Sequence, residues 1–199
     1  MKNILFFCIF VSVFLCCGCS KMSKAEALAK QEVLKYLYVP ESYDPVETKL
    51  DSVFSPGESV ETLSLVDQLL KLENEINRLD SQIREVKDRL SFFPDSHDSF
   101  WEKQIDNLNL ELSEKMDEYN ALITDYDNLY NKINNLLNAE QIFCGYKIYQ
   151  RFRCKNNNGE ITFSDVVIYT DEDIQEVKAV SDCDKLNPLL NAINNIKNR

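Results

Sequence analysis

The chain has 199 residues, of which 28% are charged and 44% apolar, and a formal net charge of −11. This length suits one domain plus an extension, and the composition is that of an ordinary globular protein. The negative charge disfavours nucleic acid and anionic lipid headgroups as partners. We therefore expect no nucleic-acid partner, and any attachment to a membrane should come from a lipid.

The first segment of the chain has the pattern of a secretory signal. Lys2 gives a short positive start, and residues 4–17 are apolar except for Ser12. This run of 14 residues is shorter than the roughly 20 that a membrane-spanning helix needs, and it fits the apolar region of a signal peptide. The sequence predicts a signal peptide over residues 1–18.

The stretch Leu15-Cys16-Cys17-Gly18-Cys19 resembles the lipobox of bacterial lipoproteins. The resemblance implies cleavage before Cys19, a diacylglycerol on its sulfur and an acyl chain such as palmitate on its new amine. Cys16 departs from the usual Leu of a lipobox, so Cys17 is a second candidate, and an ordinary signal peptide or short anchor is the alternative. Because Ser20 is not the Asp associated with inner-membrane retention, the resemblance implies an outer-membrane anchor facing the periplasm.

Residues 19–54 are predicted to form a tether, a helix and the first strand of an α+β body. Ser23-Lys24-Ala25-Glu26 has the pattern of a capping box at a helix start, and Pro40 should stop that helix. Residues 46–54 then alternate as a strand does. The residues expected on its apolar face are Val46, Thr48, Leu50 and Phe54.

Residues 55–140 are predicted to be an inserted coiled-coil helical hairpin. Ser55 should cap its first helix, with Pro56 at the first helical position. Four heptads follow with an apolar residue at every a and d position, a strong coiled-coil pattern. These positions are Leu65, Leu69, Leu72, Ile76, Leu79, Ile83, Val86, Leu90 and Phe93.

A second long helix is expected from Ser99 to about residue 138, after a turn at residues 95–98. Matching seams and a short link predict that the two helices fold back as an antiparallel hairpin. A coiled coil of this kind also allows oligomers. The seam of the second helix is Trp101, Ile105, Leu108, Leu112, Lys115, Tyr119, Leu122, Tyr126, Leu129, Ile133 and Leu136.

Residues 141–199 are predicted to complete the body with a β-hairpin and a C-terminal helix capped at Asn187-Pro188. In a four-residue-loop register, Gln150 would face Asp165, Phe152 would face Phe163 and Lys155 would face Glu160. The apolar face of the returning strand would then be Ile161, Phe163, Val167 and Tyr169. The expected fold class is α+β: a small antiparallel sheet with flanking helices, interrupted by the hairpin.

The most distinctive polar feature is a cationic ladder on the first strand of this β-hairpin. Alternation places five side chains on one face, namely Lys147, Tyr149, Arg151, Arg153 and Lys155. This face could grip an acidic partner or a polyanionic glycan. The alternative is a solvated sheet face that pairs with acidic residues of the body.

The body cysteines are Cys144, Cys154 and Cys183. Cys144 and Cys154 are expected on one strand roughly 33 Å apart, so they cannot bridge each other. Cys183 could pair with either of them in an oxidising periplasm, or all three could be small buried side chains.

Two short stretches resemble small coiled-coil lipoproteins of the Bacteroides type. They are Pro40-Glu41-Ser42-Tyr43-Asp44-Pro45-Val46 and Arg151-Phe152-Arg153-Cys154-Lys155-Asn156. The resemblance supports the lipoprotein and fold predictions and implies no activity.

Catalytic and metal-binding patterns are weak in this sequence. The single His97 lies in the turn between the long helices with no other His or Cys nearby, so we predict no metal site and no cofactor. No phosphate loop or nucleophile elbow appears. We therefore predict a protein that is not an enzyme, with an unidentified protein partner, as an adaptor, a chaperone-like protein or a structural envelope component. The alternative is an envelope hydrolase or enzyme inhibitor with an unrecognised site.

Overall fold

A computed structural model describes residues 21–93 and 99–198. The predicted signal peptide at 1–18, the candidate lipidation site Cys19 and the turn that holds His97 lie outside the described residues. The described chain forms two compact units: residues 21–63 with 140–195, and residues 64–93 and 99–139 with 196–198.

The first unit is built on an antiparallel sheet of four strands in the order β1-β2-β3-β4. The α+β class is therefore confirmed, and so is the prediction that the early strand joins the later hairpin. The strands are β1 (Asp44–Ser55), β2 (Ile142–Lys155), β3 (Ile161–Thr170) and β4 (Val177–Asp182).

Four helices accompany the sheet in the described part of the chain. They are α1 (residues 21–34), α2 (Val60–Ser91), α3 (Ser99–Leu137) and α4 (Cys183–Lys197), and a short 3₁₀ turn lies at Pro40–Ser42. Apolar side chains at helical spacing give each helix a buried face.

Helix α1 packs on one face of the sheet. Its Ala25 and Ala29, both fully buried, lie against Ile148 of β2 and Ile168 of β3. One helical turn later, Val33 packs with Phe152 and Cys154 in a second cluster. The small alanines let the helix backbone approach the strands closely, so this face of the sheet forms a buried core.

In the second unit, three side-chain pairs join α2 to the start and middle of α3. Lys115 Nζ donates to Gln82 Oε1 at 3.1 Å, and Arg89 lies 3.5 Å from Glu111. The rings of Phe93, just beyond α2, and Trp101 are 5.5 Å apart in an edge-on arrangement. Residue numbers on α2 rise as those on α3 fall.

Three predicted helix starts are wrong. Residue 21 is already helical, so Ser23 lies inside α1 and does not cap it. Helix α2 is capped by Ser59 rather than Ser55, because Ser59 Oγ accepts the N–H of Thr62 at 3.3 Å. Helix α4 begins at Cys183, so that Pro188 falls inside it.

The strand prediction for β1 missed its buried residue. Val53 is buried while Phe54 is 42% exposed, because successive side chains of a strand point to opposite faces and Val53 shares the face of Glu47, Lys49 and Asp51. The register shift beyond Val53 comes from an extra residue of β2, Cys144, between the partners Gly145 and Phe143. Helix α1 also ends at residue 34, before Pro40, because i→i+3 bonds to Lys35 and Tyr36 close its last turn.

Asp171 organises the turn between β3 and β4. Its Oδ1 accepts the N–H groups of Gln175 at 2.7 Å and Glu176 at 3.1 Å. These bonds hold the pKa of the Asp171 carboxyl below its ordinary value of 3.8. The stabilisation is therefore present above the ordinary pKa and is lost as the pH falls through the lowered one.

The variant Asp171→Asn should show a smaller loss of stability in acid than the parent. It keeps the accepting oxygen but cannot gain a proton, so the contribution that titrates in the parent is missing. Urea unfolding midpoints at about pH 7 and about pH 3 measure the difference. Equal acid sensitivity of parent and variant would contradict the assigned role of the carboxylate.

Candidate binding face

Strand β2 places the predicted ladder residues together on one face of the sheet. Its burial alternates, with Phe152 and Cys154 buried and Arg151, Arg153 and Lys155 exposed. We call the sheet face that carries Lys147, Tyr149, Arg151, Arg153 and Lys155 the cationic face. The opposite face packs against α1.

The predicted register between β2 and β3 is wrong by one residue. Arg153, not Phe152, is opposite Phe163, and Arg151, not Gln150, is opposite Asp165. Lys155 faces Ile161 in place of Glu160. Because side chains alternate along a strand, this shift moves the predicted apolar set of β3 to the other face. Phe163, Val167 and Tyr169 therefore lie on the cationic face.

The turn between the strands explains the shift. Asn156 N–H donates to the carbonyl of Glu160 at 2.9 Å, so these two residues are paired across the hairpin. Asn156 Oδ1 also accepts the N–H groups of Asn158 and Glu160. Three residues remain between the pair, and Gly159 takes a φ of +80°, as a three-residue hairpin loop requires. A loop with an odd number of residues places the side chains of the returning strand on the opposite face from a loop with an even number.

Three of the four ladder cations have acidic partners among the residues that the structure describes. Lys147 Nζ lies 2.5 Å from Glu58, Arg151 Nε lies 3.7 Å from Asp165, and Arg153 pairs with Asp44 of β1. Each pair is at least partly exposed, so it adds little to stability. Its main consequence is that the positive charge of the ladder is balanced locally.

Tyr149 joins this network through its hydroxyl, which donates to Asp165 Oδ1 at 2.5 Å. That hydrogen bond raises the pKa of Tyr149 to about 12. The ammonium of Lys49 lies 5.5 Å from the centre of the Tyr149 ring. Asp165 therefore holds both Tyr149 and Arg151, and fixes the centre of the cationic face.

The cationic face is covered at one end and open at the other. Near Lys147, the β3 residues Val167 and Tyr169 are buried, whereas Ile161 is 68% and Phe163 58% exposed. The guanidinium carbon of Arg151 lies 5.5 Å from the centre of the Phe163 ring. We call the exposed end, formed by Arg151, Arg153, Lys155, Ile161 and Phe163, the open patch.

Ile161 and Phe163 are the members of the open patch that sequence reasoning assigned to the core. A signal was available in the sequence. Asn156 and Glu160 can pair around Asn157-Asn158-Gly159, and this odd loop puts Phe163 beside Arg153. If the three-residue loop is not recognised, the apolar side chains of an alternating strand such as β3 are assigned to the core.

Tyr169 is an unusual group at the covered end of the face. It is only 2% exposed, and its hydroxyl has no hydrogen-bond partner among the described residues. Burial, and next the nearby carboxylate of Glu58, raise the pKa of Tyr169. The hydroxyl therefore stays protonated at neutral pH, and its burial without a partner costs stability.

Elsewhere in the described residues, the structure gives weaker indications of a binding or catalytic site. A groove of about 540 Å³ between α1 and β1 is lined by Glu26, Lys30, Thr48 and Gln150, among others. In the described ranges, no three His, Cys, Asp or Glu side chains are grouped to hold a metal. None of the described helices has an apolar stretch long enough to cross a membrane.

The three body cysteines are free thiols in this structure. Cys144 and Cys154 both lie on β2, as predicted. Cys183 opens α4 and forms no bridge to either of them. Burial raises the pKa of the Cys144 and Cys183 thiols above the ordinary value, which makes them poor nucleophiles at neutral pH.

Comparison with known proteins adds no family. No protein-family model, no curated protein and no solved structure matches the chain.

The substitution Tyr169→Phe should leave the free energy of unfolding unchanged or raise it by about 1 kcal/mol, because it removes a buried hydroxyl that has no partner. Tyr149→Phe is the matched control, since it removes a hydroxyl that bonds a carboxylate and should cost about 1 kcal/mol. Urea unfolding measures both. A clear loss of stability in Tyr169→Phe would show that its hydroxyl has a partner in solution.

Proposed function

We propose that the chain is a lipid-anchored envelope protein that binds another protein through the open patch, as an adaptor, a chaperone-like protein or a structural component. The observation that carries this proposal is the exposure of Ile161 and Phe163, at 68% and 58%, directly beside Arg151 and Arg153.

The composition of the open patch favours a protein partner. Single exposed apolar residues are common on protein surfaces and need no explanation. Here an aromatic, an aliphatic and two arginines share one end of a sheet face, and aromatic residues and arginine are enriched in protein interfaces. A rigid sheet also holds them in place, which reduces the entropy lost on binding.

The local ion pairs bear on what the partner should look like. Arg151 and Arg153 already have the carboxylates of Asp165 and Asp44 as partners. Covering a paired charge costs less than covering a lone one. An apolar protein surface with polar groups at its rim therefore fits the open patch better than a polyanionic glycan does.

Site-specific photo-crosslinking in cells tests this proposal. A photoreactive phenylalanine analogue at position 163 should capture one discrete partner, whereas the same analogue at Ile142 should not. Ile142 is a matched control because it is another exposed apolar residue of the same sheet, at 67% against 58% for Phe163. Equal capture at both positions, or none at position 163, would contradict the proposal.

Once a partner is captured, Ile161→Ser should weaken its binding on the order of tenfold, since truncating one of the few central residues that dominate an interface costs more than about 1 kcal/mol. Ile142→Ser, with nearly the same exposure, should leave the affinity unchanged. Both variants should keep the parent melting temperature, because neither side chain is buried. Equal affinities of the two variants would place the contact elsewhere.

We further propose that Cys19 carries the lipid and that the anchor is in the outer membrane, with the body facing the periplasm. The support is the pattern of residues 1–20: a positive start, an apolar run too short to span a bilayer, and a small residue before Cys19. A diacylglycerol on the sulfur and an acyl chain on the amine of the same residue together give durable anchoring.

Cys19→Ala should abolish labelling by a palmitate analogue and release the protein from membranes, or stall the precursor. Cys17→Ala should retain both labelling and fractionation, which separates the two candidate cysteines. Metabolic labelling followed by membrane fractionation measures the outcome. Undiminished labelling of Cys19→Ala would rule out this site.

The two long helices are proposed to form an antiparallel coiled-coil hairpin. The ordered contacts of Gln82 with Lys115 and of Arg89 with Glu111 support this arrangement. Burial is a second support. On α2 the seam residues Leu79, Ile83 and Val86 are buried, while Ser81, Arg84 and Glu85 between them are exposed.

Ile76→Asp should destabilise the helices strongly, because it places a charge in the half-buried seam. Asn77→Asp, one residue along and exposed, is the matched control and should change the stability by less than about 0.5 kcal/mol. The melting temperature of each variant is measured from the loss of its helical circular dichroism signal on heating. Similar melting of the two would count against the hairpin.

A further inference from the structure

Strand β1 lies at an edge of the sheet, with β2 as its one neighbour. Its segment from Glu47 to Val53 pairs with β2 without a register shift, and the shifts flank it on both sides. Side chains along this segment are exposed or half-buried up to Ser52. In the described part of the chain, no strand pairs with its outer side. An edge with regular pairing of this kind offers free N–H and C=O groups to another strand.

The charges on this edge alternate in sign. Glu47, Lys49 and Asp51 lie on the cationic face, opposite Arg151, Tyr149 and Lys147 of β2. Lys49 pairs with Glu47 at 2.9 Å. The carboxylate of Asp51 has no cation within ion-pair distance among the described residues. A cationic side chain of another molecule could therefore pair with it.

If β1 pairs antiparallel with β1 of a second copy about a twofold axis, the position of the axis decides which charges face each other. With the twofold axis at Leu50, Lys49 faces Asp51 of the second copy twice, and Thr48 faces Ser52. With the axis at Lys49, two lysines face each other and Glu47 faces Asp51. Opposite charges across strands stabilise and like charges destabilise, so the axis at Leu50 is favoured.

An axis at Thr48 also matches charges, by placing Glu47 opposite Lys49. It would, however, extend the pairing into the irregular stretch between Pro45 and Glu47. The axis at Leu50 uses the whole regular segment from Glu47 to Val53. It also brings together two Leu50 side chains, each already half-buried against the core that contains Ile148.

We propose that two copies of the chain pair through β1, antiparallel about Leu50, so that their sheets join into one. Lysine on an edge strand ordinarily discourages pairing with other strands. Here the alternation of sign makes the edge complementary to itself in this register. The inference is independent of the proposed protein partner, since β3 carries the apolar residues of the open patch.

Thiol crosslinking of the full chain in detergent tests the register. Leu50→Cys should form crosslinked dimers with a short bifunctional reagent, because the two positions face each other at the axis. Thr48→Cys and Ser52→Cys should each fail alone, since the identical positions are about 13 Å apart, and should crosslink when mixed. The parent protein, which has only its natural cysteines, gives the background level of crosslinked dimer.

Charge reversal tests the electrostatics in the same protein. Lys49→Asp should weaken dimerisation, seen by sedimentation velocity, on the order of tenfold, because two attractive pairs become repulsive. The double variant Lys49→Asp with Asp51→Lys should restore it. Circular dichroism verifies that each variant folds, and a variant that does not fold is replaced by Lys49→Gln, which should weaken dimerisation less.

A monomeric parent would overturn the proposal. So would a dimer that keeps its affinity in Lys49→Asp and gives no crosslink at Leu50 beyond the parent background, since its contact would lie elsewhere. Equal crosslinking of Thr48→Cys alone and of the mixture would also overturn it, because the register would then be wrong.

Discussion

The register between β2 and β3 is the constraint on which the composition of the cationic face depends. Strand β2 is paired on both sides, so its alternation decides which side chains enter the core and which form the cationic face. The turn at Asn156 and Glu160 then decides which face the residues of β3 join. Since a shift of one residue reverses every side chain, the turn determines the chemistry of the surface.

The two faces of the sheet are stabilised in different ways. One face is buried and packs against α1 through Ile148 and Phe152, where burial of apolar area supplies the free energy. The cationic face is bound together by exposed ion pairs around Asp165 and Asp44, which contribute little each. The exposed side chains of the open patch can therefore vary with little effect on folding, and this freedom suits the proposed contact with a partner.

Much of the fold followed from local sequence patterns. The four helices and the strands β1 to β3 were expected from apolar periods of 3.6 and 2, and the five ladder residues were correctly placed on one face of β2. Element starts were less accurate. Two Ser residues can each cap α2, and only the tertiary structure selects Ser59 over Ser55. Helix α4 starts before Pro188 because Cys183 follows β4 directly.

The site was harder to predict than the fold, for a physical reason. Ile161 and Phe163 alternate with Thr162 and Ser164, a pattern that fits either face of a sheet. The choice depends on whether the loop holds an odd or even number of residues, and on the φ of Gly159. The residues of β3 themselves do not contain this information, because it arises from hydrogen bonds between Asn156 and Glu160 in the preceding turn.

Nuclear Overhauser contacts between backbone protons of β2 and β3 test this register most directly, since residues opposite each other in an antiparallel pair bring their backbone protons close together. The structure predicts contacts between Arg153 and Phe163 and between Arg151 and Asp165. Contacts between Phe152 and Phe163 and between Gln150 and Asp165 would instead return Phe163 to the core face and contradict the account of the open patch.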